Sequence, residues 1–498
     1  MELFEQFKAM QKKQKAYAFV LSIAGWDSNT EAPKKCFPHR ADMLSVISGE
    51  NFSLMTSTDY VKTVDALIER QDDLDETQKK EVKRAKRNLD KIVKIPKDEY
   101  VDYAKLINLS QRIWEEAKEK DDYAHFKPYL KKIIAAKKRM VEYRSDRPDK
   151  YNILLDDFEE GMDMETYDAF FDAIKSELVP FVKKVLAAKK DDDNPLENVS
   201  FDHNRQKQFV EYLIEVFDYD LDRGVLKESV HPFTWNTHTQ DVRFTVRYLE
   251  DYLFSSIFAA IHELGHALYE QQIDPIFDTT NLSNGASMGI HESQSRFYEN
   301  MVGRSRAFWD THYDKLKSLF PKELESIDVD AFHRAVNRVE ESYIRVEADE
   351  LTYPLHILIR YELERLIFDD KVDVDSLPAM WNEKMQTYLN ITPEKDSDGL
   401  LQDVHWSGGM FGYFPTYALG SAYAAQIYYT LVDEIDFETL IKNNDIRAIN
   451  TWLKEKIHCF GSSRKPREIL KDVTNEDFNP KYYIRYLKEK YTALYIKD

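Results

Sequence analysis

The stretch LFSSIFAAIHELGHALYEQQI, residues 253–273, decides how this chain is read. Leu253, Phe254, Ile257, Phe258, Ile261, Leu264 and Leu268 recur at helical spacing, and no proline follows until Pro275, so a long, largely buried helix is predicted. Within it, His262-Glu263-Leu264-Gly265-His266 sets two imidazoles at i and i+4, one above the other, where both can reach one metal ion. Glu263 projects near the same face, where a carboxylate can take a proton from a water that such an ion activates. Gly265 is unfavourable in a helix by about 1 kcal/mol and is read as leaving room beside the metal. The chemistry implied is hydrolysis.

A catalytic zinc needs a third protein ligand and an open position. The metzincin pattern does not supply it, because the helix runs on through Ala267 to Gln272 without a further histidine. Beyond a loop rich in Pro, Asn, Ser and Gly (274–289), a second helix is predicted from near Ile290, carrying His291-Glu292-Ser293-Gln294-Ser295-Arg296. Glu292 is the better-placed third ligand, since two helices joined by such a loop can pack antiparallel; His291 is its rival. Four residues after Glu292 stands Arg296, where simpler gluzincin patterns carry a carboxylate that orients a metal histidine. Asp241, Asp349 or Asp403 are the alternatives for that part. Two imidazoles and one carboxylate suit zinc best, and cobalt or manganese fit the same donors, with one ion expected per chain.

Further motifs stand in order along the chain: Trp26-Asp27 with Thr30, His231-Pro232-Phe233, Asp241 with Arg243 and Thr245, Ile344-Arg345 with Ala348-Asp349, and Gly399 with Gln402-Asp403 and His405-Trp406. Together with HELGH and His291-Glu292-Ser293-Gln294, this series resembles the carboxypeptidase Taq family, the thermostable carboxypeptidase 1 group of metallopeptidases. The resemblance implies a large helical gluzincin-type fold with a deep groove, and His262, His266 and Glu292 as metal ligands with Glu263 as general base. It also implies removal of single residues from peptide C-termini, with broad preference and poor action on terminal proline, and a homodimer.

Such a reaction must recognise a free carboxylate, which a guanidinium does in a bidentate way. Arg345 and Arg243 are the candidates, Arg345 on a segment (342–351) that reads as helical. Asp241 and Arg243 precede the metal helix on 242–246, whose alternation suggests an edge strand able to pair with an extended substrate. His231 is a further candidate contact. The developing oxyanion needs donors, and by analogy with related helical gluzincins His405 and Tyr417 are nominated. The rival readings are an HExxH endo- or aminopeptidase, or a peptide-binding protein without turnover.

Breaker-free runs at 59–95, 99–127, 162–190 and 327–352 predict a mainly α chain, with a small antiparallel sheet near 224–248 beside the metal helix. No linker divides the 498 residues, so one helical domain is expected, with an N-terminal lobe or lid over about 1–190 and the metal site in about 225–420. A net charge of −20 disfavours nucleic acid and anionic membranes as partners. The N-terminal segment lacks the form of a secretion signal, no apolar run is long enough to span a membrane, and two cysteines do not make a disulfide framework. A cytoplasmic enzyme acting on peptides with a free C-terminus is the expectation.

Overall fold

Apolar side chains bury in two groups of very different size. The computed structural model describes residues 2–145, 149–189 and 194–496, mainly helical with one three-stranded sheet. Its first helices are α1 (Glu2–Thr30), α2 (Phe37–Met55), α3 (Thr58–Glu69) and α4 (Glu76–Asp90). Phe4 and Phe7 of α1, Tyr60, Val64 and Leu67 of α3, and Val82, Ala85 and Leu89 of α4 form the small core. The run expected over 59–95 breaks at residues 70–75, because Asp75 and Gln78 close a capping box that starts α4. Of the run at 162–190, Lys190 lies outside the described residues, and the rest is helical from Met164 to Ala188.

Charged groups tie this lobe to the body. Arg87 pairs with Asp156 at 2.8 Å and Glu160 at 3.2 Å, Lys91 with Asp157 at 3.4 Å, and Lys8 and Lys15 donate to the carbonyls of Thr279 and Asp278. α2 buries none of its residues and leaves Phe37, Met43 and Val46 exposed. The large core is built from buried apolar side chains drawn from Ile113 through Tyr491.

The sheet holds β1 (Gly224–Glu228), β2 (Thr234–His238) and β3 (Asp241–Val246) in the order β1-β3-β2. β2 pairs antiparallel with β3 as expected, but β1 pairs with it in parallel. β3 is therefore central rather than an edge: both its sides are already bonded, and it offers no backbone to a substrate. The alternation at 242–246 is real, with Val242, Phe244 and Val246 fully buried on one face against the HExxH helix.

That helix spans Leu253–Gln271, and the helix bearing Glu292 spans Met288–Arg296 and runs on into a π-helical segment, Phe297–Gly303. A π segment displaces backbone bonds from their usual partners. The carbonyl of Asn300 there is taken by the Tyr486 hydroxyl at 3.2 Å and Lys490 at 3.4 Å, both from the C-terminal helix Lys481–Tyr495. The helix expected through Arg345 is absent. In the run at 327–352 only Val329–Val336 is α-helical, and Arg345–Glu347 is a single 3₁₀ turn. Side chains capture the backbone there: Gln402 accepts the Arg345 N–H, and Asp349 accepts those of Leu351 and Thr352.

Glu159 is fully buried at the start of the Glu292 helix, accepting the Gly289 N–H at 2.7 Å and the Ser287 hydroxyl at 2.9 Å. Burial pushes its carboxyl up to about 7 despite those bonds. A carboxyl raised on folding favours the folded state while protonated in both states, and that advantage is lost as pH climbs from about 4.5 through about 7. Glu159→Gln is expected to gain on the parent by on the order of 2 kcal/mol between pH 5 and pH 8. Denaturant unfolding of both proteins at the two pH values checks this; an unchanged difference would contradict it.

Candidate active site

His262 and His266 lie one turn apart on the HExxH helix, and Glu292 reaches them from the adjoining helix. Glu292 Oε2 is 3.8 Å from His262 Nε2 and 3.6 Å from His266 Nε2, and the donor atoms of the three residues all lie within 4.8 Å of one another. Donors held at 2.0–2.2 Å by one tetrahedral zinc stand roughly 3.4 Å apart, so these residues fit a single such ion. His291 turns elsewhere: its Nδ1 lies 2.7 Å from His266 Nδ1 and its Nε2 2.7 Å from Glu270 Oε1. With Nε2 facing the site, His266 donates from Nδ1 to His291, which donates in turn to Glu270. His262 Nδ1 meets Glu299 Oε2 at 2.9 Å.

The supports of the two imidazoles are thus Glu299 and the His291–Glu270 pair, and none of the three aspartates foreseen for that part. Asp241 pairs with Arg243, Asp349 caps the turn at Leu351 and Thr352, and Asp403 joins Arg345 to Arg360. Burial alone would raise the Glu299 carboxyl, yet Arg296, the bond to His262 and Arg304 hold it well below the usual carboxylate range. Glu263 is buried beside the group and accepts the Thr234 hydroxyl at 2.6 Å; burial raises its carboxyl against that bond. Gly265 does not make room for a metal. A Cβ there would lie 2.6 Å from Ser295 Cα, so the glycine lets the Glu292 helix press against the HExxH helix. Gly420, on the helix Pro415–Glu434, does the same from another side: its Cβ would lie 2.5 Å from Glu292 Cβ.

Residues 6–491 match the sequence family described as carboxypeptidase Taq (M32) metallopeptidase. The chain belongs to that family. Carboxypeptidase 1 of Bacillus subtilis is 44% identical over 493 residues, covering 99% of this chain and 98% of the relative. Thermostable carboxypeptidase 1 of Pyrococcus furiosus is 36% identical over 498 residues, with 98% of each chain covered. Among solved structures, the M32 carboxypeptidase of Deinococcus radiodurans superposes with a TM-score of 0.96 at 32% identity, covering 99% of this chain and all of the other. A metal-dependent peptide hydrolase of M32 type follows.

Other sequence-predicted residues of this M32 chain gather around the His-Glu group to different degrees. His405 Nε2 is 3.2 Å from the Tyr417 hydroxyl, and Tyr417 sits one turn before Gly420 on the helix that touches Glu292. Burial pushes His405 down to about 4, which leaves it neutral, and its Nδ1 has no hydrogen-bond partner. Arg345 is 6% exposed, lies 5.0 Å from the centre of the Tyr417 ring, and donates to Asp403 through Nε and Nη2 and to the Tyr353 hydroxyl through Nη1. Arg243 sits apart from this cluster on β3, bonded to Asp241 at 2.6 and 2.9 Å and stacked 5.6 Å from the Trp26 ring. His231 is exposed between β1 and β2, and its carbonyl accepts the Ser229 hydroxyl.

Sequence reasoning missed Thr234, Glu270, Glu299 and Gly420. Glu270 stands four residues after His266, so helix periodicity could have found it. Glu299 stands seven after Glu292, two turns along the same face. Thr234 carried no signal, because only the pairing of β2 with β3 brings it to Glu263.

Proposed function

We propose that the chain is a zinc metallocarboxypeptidase that releases single residues from peptide C-termini, with broad preference and poor action on terminal proline. The observation that carries this is one carboxylate oxygen of Glu292 facing both Nε2 atoms of an HExxH pair, with Glu263 buried alongside and aligned by Thr234. His262, His266 and Glu292 are the residues to hold the ion; zinc suits the donors best, and cobalt or manganese fit them. A divalent cation bound there supplies Lewis acidity to a water and to the scissile carbonyl. Glu263 takes the proton of the attacking water and hands it to the leaving nitrogen. Tyr417 and neutral His405 donate hydrogen bonds to the oxygen on which charge develops. Arg345 has five N–H groups, of which three are engaged, so one on Nη1 and one on Nη2 are left for the terminal carboxylate. Arg243, Asp241 and His231 line the approach for the rest of the peptide.

The N-terminal lobe expected over about 1–190 is proposed to act as a lid on the metal site; within it α1, α3 and α4 share a small core of their own, whereas residues from Ile113 onward join the large core. The exposed apolar side chains of α2 support a homodimer in which a second copy covers them. The reading includes a cytoplasmic location; the net charge of −20 disfavours nucleic acid and anionic membranes, and no helix among the described residues is long and apolar enough to cross a membrane.

A peptide of known sequence, supplied with a free C-terminus and as its C-terminal amide, tests the reading. The free acid should shorten one residue at a time from its C-terminus, and the amide should lose most of the rate. A chelator should abolish hydrolysis, and added zinc or cobalt should restore it. Cleavage of the amide at an undiminished rate would favour an endo- or aminopeptidase instead.

A further inference from the structure

The two oxygens of Glu292 are employed differently. Oε2 faces His262 and His266, whereas Oε1 accepts the Arg296 Nε–H at 2.7 Å. Arg296 extends its other arm to Glu299 Oε2 at 3.0 Å, the oxygen that also meets His262 Nδ1 at 2.9 Å. The contacts close a ring: Glu292, Arg296, Glu299, His262 and back to Glu292. Positions 292, 296 and 299 stand at i, i+4 and i+7, one face of the helix and its π-helical continuation. Arg304 Nη2 fixes the remaining Glu299 oxygen at 3.2 Å, and the Tyr353 ring lies 4.6 Å from the Arg296 guanidinium.

We propose that Arg296, oriented by Glu299, is a positioning residue that restricts Glu292 to one coordinating oxygen and so reserves a metal position for the substrate. The inference rests on the proposed metal site and adds to it a reason for the arginine that replaces the expected carboxylate. A carboxylate can bind a cation through one oxygen or two, and a second Glu292 oxygen would occupy the vertex that catalysis requires open. A guanidinium is planar with fixed donor directions, so Nε and Nη1 can grip two carboxylates at once; a lysine ammonium on a flexible stem cannot hold both in that geometry. The arginine also balances two buried carboxylates, which would otherwise repel each other or draw protons.

The test uses the full chain loaded with metal. A crystal structure of the zinc-loaded wild type should have one Glu292 oxygen at bonding distance and the other still on Arg296. In the cobalt-loaded protein, Arg296→Lys, which keeps the charge, should retain one cobalt per chain. Its visible absorption should fall by about two-fold or more as a fifth donor joins, and its kcat by roughly ten-fold or more. Two Glu292 oxygens on zinc in the wild type, or an Arg296→Lys cobalt spectrum identical to wild type, overturns the proposal. Should the lysine variant not fold, the wild-type crystal structure decides alone. Metal found away from His262, His266 and Glu292 would instead refute the proposed site itself.

Discussion

Glu263→Gln is expected to lower kcat by about 10²–10⁴-fold while metal stays bound at one ion per chain. The substitution is nearly isosteric, and the side-chain carbonyl that remains can still accept the Thr234 hydroxyl, which now bonds Glu263 Oε2 at 2.6 Å. What is lost is the capacity to take up a proton. Glu263 is outside the His262, His266 and Glu292 group, so metal content measured beside peptide turnover separates the two functions. A variant that keeps its metal and most of its rate would require a different base. Loss of metal together with rate would mean that Glu263 supports the ligands rather than the water.

Gly420→Ala should be nearly as damaging, although it adds only one methyl group and removes no polar atom. The new Cβ would sit 2.5 Å from Glu292 Cβ, 2.6 Å from its Cγ and 3.1 Å from its backbone carbon, distances that force the helices apart. Overpacking of this kind costs about 1–3 kcal/mol, more than the roughly 1 kcal/mol that alanine gains over glycine in a helix. Displacing Glu292 by even part of an ångström moves a member of the His-His-Glu group, and about 10²-fold in kcat/KM is the expected loss if that group holds the metal. Gly49 on α2 is the control: a Cβ there meets nothing within 4 Å, so Gly49→Ala should raise stability by about 0.5–1 kcal/mol and leave turnover alone. Thermal unfolding and peptide hydrolysis of both variants give the comparison. Wild-type kcat/KM in Gly420→Ala would show that the Glu292 helix yields without consequence.

The HExxH helix and its partner were legible because their information is local: apolar spacing fixes the buried face, and the motif fixes which residues leave it. The helix of Glu292 was legible in the same way and begins within two residues of the expected place, whereas the preference for Glu292 over His291 drew on the family resemblance. What escaped depends on packing between elements distant in sequence. Thr234 meets Glu263 through strand pairing, Gly420 meets Glu292 through helix contact, and the true task of Gly265 is visible only once Ser295 lies against it. The segment around Arg345 misled because its composition permits a helix while Gln402, 57 positions away, takes the backbone N–H that a helix would use. Arg296 showed that the support of the imidazoles had to come from elsewhere, and the signal for Glu299, its place seven residues after Glu292 on one helix face, went unread.

The π-helical carbonyl of Asn300 and the Tyr486 hydroxyl that holds it are 186 positions apart. During synthesis both histidines and Glu292 emerge long before the helix that steadies the segment carrying Glu299. The nascent chain therefore possesses His262, His266 and Glu292, the group that could hold a metal, while their geometry is still unbraced, and contacts that close so long a loop are slow to form. Hydrolytic competence should consequently arrive with the docking of the C-terminal helix, and a ribosome-bound chain lacking it would carry the metal residues without the arrangement that makes them an enzyme.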